Sequence, residues 1–187
     1  MIILLNGLSR SGKDTVAKYL SRKYAFEHIK ISEKVKDVVS VMFDITKEEL
    51  EDHRKDKVRS DYGVTPRDLM KFIGTHVGQY ELNKVLPKIG RCFWIKSAMK
   101  KMTEENNKYV ISDYRFPHEY EFLNSEFPNR KIVVVKIVPE FTGFVKPTIM
   151  DETEMQMKND YILKNITIQQ LYNDIDYMMD VINKNEL

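Results

Sequence analysis

The chain has 187 residues, 42% of them hydrophobic and 31% charged, with a formal net charge of +2. That composition belongs to a globular chain of one or at most two domains and excludes extensive disorder. Cys92 is the single cysteine, which excludes an internal disulfide framework and a cysteine-clustered zinc site, and the near-neutral charge gives no electrostatic reason for a nucleic-acid partner.

Met1 to Asn6 (MIILLN) is a short continuous apolar run and reads as a buried strand. It is too short for a secretory signal core or a membrane span, so a cytoplasmic chain with no membrane partner is expected. Gly7 to Gly12 reads as a turn. Asp14 to Tyr24 carries Val16, Ala17, Tyr19 and Leu20 at helical spacing, and His28 to Ile31 reads as a second short strand. Ser32 opens a helix with Val35, Val38, Val39, Met42 and Phe43 on one face. Thr46 with Glu49 makes a capping box and predicts a helix over Lys47 to Arg59. Thr65-Pro66 pairs an N-cap with a proline at the first helical position and opens a helix to about Leu82. Phe93 to Thr103 is expected to be helical.

Tyr109 to Ser112 reads as a buried strand, and Pro117 opens a helix through about Ser125. Lys131 to Val138 (KIVVVKIV) is the clearest strand, rich in β-branched residues. Phe141 to Asn159 has no regular period and reads as a mobile segment. Tyr161 to Lys164 adds a short strand, and Thr167 with Gln170 caps a last helix carrying Leu171, Ile175, Met178 and Ile182 on one face. Buried strands alternating with helices predict an α/β protein with a mainly parallel sheet. One domain is expected over 1–187, with a helical substrate-binding insertion at about 33–105 and a lid-like segment at about 140–159.

Gly7-Leu8-Ser9-Arg10-Ser11-Gly12-Lys13 has the phosphate-loop spacing of two glycines flanking four residues, then lysine. A polyphosphate needs several backbone N–H groups converging on it, hence a chain that wraps closely without Cβ interference. The positive end of the following helix adds attraction, and the Lys13 ammonium reaches the β- and γ-phosphates. The alternative, a plain glycine-containing strand-to-helix turn, does not require the lysine. Position 14 departs from the general pattern: Asp14 stands where serine or threonine ligates magnesium, and Thr15 follows. Asp14 and Thr15 are accordingly the candidate Mg²⁺ residues, together with phosphate oxygens and water.

The strand ending at Ser112 continues into Asp113-Tyr114-Arg115. Ligands gather at the carboxyl ends of strands in open α/β sheets, so Asp113 is expected near the phosphate loop. There it can hold magnesium through water or orient the attacking phosphate, and Arg115 can bind a second phosphate bidentately. The bland alternative is a surface Asp–Arg pair. The histidines His28, His53, His76 and His118 show no metal-ligand spacing. Glu51 to Asp61 reads most simply as a solvated helix face.

RSGKDT (Arg10 to Thr15), Val35-Lys36-Asp37, TPRDLMKFIGT (Thr65 to Thr75), Trp94-Ile95-Lys96 and DYRFPHE (Asp113 to Glu119) occur in an order that resembles the deoxynucleoside monophosphate kinases of bacteriophages and large DNA viruses. Asp151 to Glu154 falls where that family has an acidic segment. The resemblance implies a three-layer P-loop fold, a homodimer in the family's manner, and transfer of the γ-phosphoryl group of ATP, with Mg²⁺, to a deoxynucleoside monophosphate. By matching positions, Gly7, Arg10, Ser11, Gly12, Lys13, Asp14 and Thr15 would hold the donor. Lys34, Arg67, Trp94, Asp113, Arg115 and Glu119 would lie around the acceptor, with Lys13, Asp113 and Arg115 in catalytic roles. From position alone, Arg67 faces solvent or a ligand and Trp94 is a packing residue. Another small-molecule kinase on the same loop (one acting on phosphomevalonate, for example) and a nucleotide-hydrolysing protein without an acceptor are the rival readings.

Overall fold

The computed structural model describes residues 1–102, 107–140 and 157–184. The chain divides into two compact units, one formed by Met1–Ile29 with Glu104–Leu187 and the other by Lys30–Thr103.

The first unit is built on a sheet of five parallel strands: β1 (Ile2–Asn6), β2 (Phe26–Ile29), β3 (Lys108–Ile111), β4 (Ile132–Pro139) and β5 (Tyr161–Asn165), in the order β2-β3-β1-β4-β5. Central β1 pairs Ile2 with Tyr109 of β3 and with Ile132 of β4. It is apolar from Ile2 to Leu5 because both of its faces are covered. Ile3 and Leu5 point to one face, where α1 (Lys13–Tyr24) supplies Val16, Ala17 and Leu20. The last helix, Ile168–Lys184, adds Leu171, Ile175 and Met178 to the same core.

One strand begins two residues earlier than its residues predict. Ala25, left-handed with φ 59°, caps α1 and delivers the chain straight into β2 at Phe26, two residues before the expected start at His28. The expected 141–156 part of the mobile, lid-like segment, with Asp151 to Glu154, lies outside the described residues.

The second unit is helical. It contains α2 (Ser32–Phe43), α3 (Lys47–Glu51), α4 (Pro66–Lys71), a π-helical stretch (Phe72–Glu81), α5 (Leu82–Val85) and α6 (Phe93–Met99). The capping boxes at Thr46 and Thr65 are both formed. The helix expected over Lys47 to Arg59 stops at Glu51, because the Asp52 side chain accepts the Arg54 backbone N–H at 2.7 Å and starts a 3₁₀ turn, His53–Asp56.

The helix expected to run evenly from Pro66 to Leu82 widens into the π form, and Trp94 explains where. Its indole N–H donates to the Gly74 carbonyl at 2.9 Å. A Cβ on Gly78 would sit 1.8 Å from the indole nitrogen, so only glycine fits under the ring. A side chain that takes a helical carbonyl and presses on the backbone is a recognised cause of such irregularity. In the first unit, α7 (Pro117–Glu126) follows β3, and the last helix is α8.

Candidate phosphate-binding site

The loop between β1 and α1 takes three residues into positive φ: Gly7 at 133°, Arg10 at 65° and Gly12 at 106°. A Cβ on Gly7 would lie 2.3 Å from the backbone oxygen of Ile137, so strand β4 runs too close for any other residue. Arg10 holds a left-handed conformation without being glycine, a cost of about 1 kcal/mol. The Ser11 N–H closes this turn onto the Leu8 carbonyl at 3.1 Å, and Ser11 is fully buried. Gly12 is the N-cap of α1 and has no side chain to occupy the first-turn N–H groups. The Lys13 ammonium arches back over the loop and donates to the carbonyls of Gly7 and Leu8, both at 2.6 Å. The geometry therefore gathers the N-terminus of a 12-residue helix without a side-chain cap and a lysine ammonium at one turn, which is the arrangement that binds anions.

Three residues not singled out for chemistry in the sequence shape this loop. Asn165, at the end of β5, donates from Nδ2 to the Ser11 carbonyl at 2.9 Å and lies 2.5 Å from where a Gly12 Cβ would be. Ser112, just past β3, donates to Asp14 Oδ1 at 3.1 Å, and His28 of β2 meets the Ser112 hydroxyl at 2.7 Å. The only sequence signal for Asn165 and Ser112 was their place at the carboxyl ends of strands, and His28, read as the first residue of its strand, carried none.

Asp113 and Arg115 follow β3 in a turn, Asp113 half-buried and Arg115 exposed. Glu119 is buried, 3% exposed, and its Oε2 accepts the backbone N–H groups of Arg115 at 2.9 Å and Phe116 at 3.1 Å. This side chain holds the turn that carries Asp113 and Arg115 and caps α7. Burial pushes its carboxyl up to about 7 against the pull of those two N–H groups, and the Asp113 charge adds to the rise.

A groove of about 520 Å³ runs along α1 from Thr15, lined by Lys18, Tyr19, Arg22, Lys23 and Tyr172. Tyr19 and Tyr172 stack at 4.0 Å with their planes 9° apart. Asp176 accepts from Lys23 at 2.6 Å and from Tyr24 at 2.8 Å. Among the described residues Lys18 and Arg22 have no acidic partner.

The remaining expected ligand residues belong to the helical unit. Lys34 pairs with Asp37 at 3.1 Å, and Asp37 also takes Lys47 at 2.6 Å; these lysines, Lys47 foremost, hold its carboxyl below the usual range. Arg67 pairs with Asp56 through Nε and through Nη2 at 3.1 Å. Trp94 is buried against Phe93, edge to face at 4.9 Å, as its packing reading requires.

Asp14 and Thr15 offer oxygen donors suited to a hard cation. Among the described residues no three His, Cys, Asp or Glu side chains cluster as a metal cage. This donor set fits Mg²⁺ shared with phosphate oxygens and water, which would neutralise charge on the phosphates when bound.

A parallel sheet in this order, with the glycine-lysine loop leaving central β1 for α1, is an α/β fold of the P-loop type. The solved structure of TT1252 from Thermus thermophilus is similar to this chain at a TM-score of 0.50 and 14% identity, over 98% of this chain and 97% of that one. A gluconokinase from Sinorhizobium meliloti 1021 gives a TM-score of 0.45 at 10% identity, over 99% and 97% of the two chains. Shikimate kinase from Bacteroides thetaiotaomicron gives 0.43 at 14% identity, over 98% of each. At these identities the likeness is one of fold. No protein-family model matches the sequence, and no curated protein matches it either.

Proposed function

We propose that the chain is a P-loop kinase that moves the γ-phosphoryl group of ATP to a deoxynucleoside monophosphate. The observation that carries the donor half is the loop itself, with Gly12 giving α1 no side-chain cap and the Lys13 ammonium held over the turn. The triphosphate would occupy this cradle, Asp14 and Thr15 would hold Mg²⁺, which would neutralise phosphate charge, and the nucleoside would extend from Thr15 into the α1 groove. From Thr15 to Arg22 the helix rises about 10 Å, enough for a ribose and base. Both substrates are polyanions, so catalysis is in-line positioning and charge neutralisation, and the ionised acceptor phosphate needs no general base. Arg115 is the clamp for the acceptor phosphate, and Asp113 orients it or holds the cation through water.

The acceptor half rests on the run of motifs from Thr65 to Glu119 in the sequence. A coupled ADP-release assay across deoxynucleoside monophosphates, phosphomevalonate and hexonates tests it. ADP that depends on a deoxynucleoside monophosphate supports the reading. ADP that needs a different acceptor keeps the kinase and removes this substrate, and ADP indifferent to every acceptor removes the kinase.

A further inference from the structure

Fixed negative charge at the mouth of an anion cradle requires a physical account. A carboxylate beside the loop repels a bare polyphosphate, whereas the same carboxylate with a divalent cation between the two attracts it. Asp14 stands in that place, one residue after Lys13, and its side chain is 59% exposed. Exposure alone would let it swing into water. Instead the Ser112 hydroxyl reaches it from the end of β3 at 3.1 Å. An ionised carboxylate only accepts, so the single hydroxyl proton of Ser112 is committed to Asp14 Oδ1. The Ser112 oxygen then accepts from His28 at 2.7 Å, which assigns the proton on that imidazole to Nε2. His28 Nε2 itself is 4.0 Å from Asp14, so the serine is the link. Ser112 is only 2% exposed, and water has little access to take over its hydroxyl's place. Hydrogen bonds aligned in one direction, imidazole to hydroxyl to carboxylate, strengthen one another.

We propose that Ser112, backed by His28, is a positioning residue that fixes the Asp14 carboxylate as the cation-facing group of the phosphate loop. The assignment rests on the nucleotide-binding reading above. It explains how the chain dispenses with the loop hydroxyl at position 14. The carboxylate takes over the cation side, and a hydroxyl from a neighbouring strand holds it in register. The arrangement makes polyphosphate binding conditional on the cation.

The test is calorimetric binding of AMP-PNP to the full chain, once with Mg²⁺ and once with EDTA, read as the ratio of the two affinities. Ser112→Ala is expected to lower that ratio about tenfold, the usual effect of losing a group that orients a metal ligand, and Ser112→Thr to keep it. Asp14→Asn is expected to tighten binding in EDTA and to bring the ratio near one. His28→Leu acts in the same direction as Ser112→Ala and serves if that variant does not fold. A merely structural serine would change the melting temperature and leave the ratio alone. Ratios for Ser112→Ala and His28→Leu equal to that of the wild type overturn the assignment, as does Asp14→Asn binding no tighter in EDTA. A wild type that binds no AMP-PNP in either condition overturns the nucleotide reading as well.

Discussion

The sheet unit and the helical unit hold their side chains in place by different means. In β1 every residue from Ile2 to Leu5 is fully buried, fixed by ladders on both edges and packing on both faces. In the helical unit, Val41 is 88% exposed and Val85 75% exposed, and four of the helical stretches are six residues or shorter. There the expected ligand residues are held by ion pairs at the surface, Lys34 with Asp37 and Arg67 with Asp56. Such pairs are worth at most about 1 kcal/mol, so these side chains re-pair readily when an anion arrives. The loop backbone has no such freedom, held by the close approach of β4 at Gly7 and by the Ser11 N–H on the Leu8 carbonyl. The phosphate-loop turn is therefore preorganised, whereas Lys34 and Arg67, two of the residues proposed to lie around an acceptor, are held loosely.

The largest expected effect follows from that contrast. Lys13→Ala should reduce turnover by about 10²–10⁴, because it removes charge stabilisation from a site whose other parts are rigid and cannot compensate. Steady-state ADP release checks it, and Arg67→Ala in the same assay should raise the acceptor KM more than it lowers kcat. A Lys13→Ala enzyme within threefold of wild type breaks the distinction between the two regions.

Leu4→Ala should cost about 2–5 kcal/mol, since the fully buried site lies mid-ladder and cannot collapse onto the cavity. Val41→Ala in the helical unit should leave stability within about 0.5 kcal/mol. Urea denaturation of both variants measures the difference, and equal losses would mean that the two units share one standard of packing.

What the sequence made legible follows the same division. Apolar runs, the β-branched one of Lys131 to Val138 above all, put β3, β4 and β5 within one residue of their observed starts, a capping box placed the start of α3, and Thr65-Pro66 placed that of α4. The phosphate-loop spacing marked the turn from Gly7 to Gly12 that joins β1 to α1. What failed to show was tertiary. The π form of Phe72–Glu81 follows from an indole 20 residues away along the chain that takes the Gly74 carbonyl, and no local periodicity encodes that. The same holds for Asn165 on Ser11 and for His28 on Ser112, each joining strand ends far apart in sequence. Glu119 was legible as a residue of the motif, whereas its buried capping geometry required the turn around it.

Glu119 gives the next prediction. Its carboxyl titrates at about 7 in the folded chain against an ordinary value of 4.5, so between those values the folded state retains a proton that the unfolded state has lost. Stability accordingly falls as pH rises from about 4.5 to 7, by about 3 kcal/mol in all, and levels off above 7. Glu119→Gln keeps an acceptor oxygen for the Arg115 and Phe116 N–H groups and has no charge to desolvate. Its melting temperature should be flat across that interval and exceed the wild type's at pH 8. A wild-type curve that rises between pH 5 and 7 would show that the two N–H groups outweigh burial.

The smallest effect concerns the helical unit alone. Thr65 Oγ1 accepts the Asp68 N–H at 3.1 Å while Asp68 Oδ2 accepts the Thr65 N–H at 3.2 Å, closing the box ahead of a helical run that continues from Pro66 to Val85. Thr46 and Glu49 close the same box ahead of a helix of only five residues. If local signals rather than core packing hold this unit, then Thr65→Ala should cost about 1 kcal/mol, Thr65→Ser little, and Thr46→Ala less than Thr65→Ala because fewer following residues depend on it. Amide hydrogen exchange resolves the units separately. Faster exchange confined to residues 66–85 in Thr65→Ala bears this out, and faster exchange spreading into β1 and β4 would mean that the helical unit is held by the same core as the sheet.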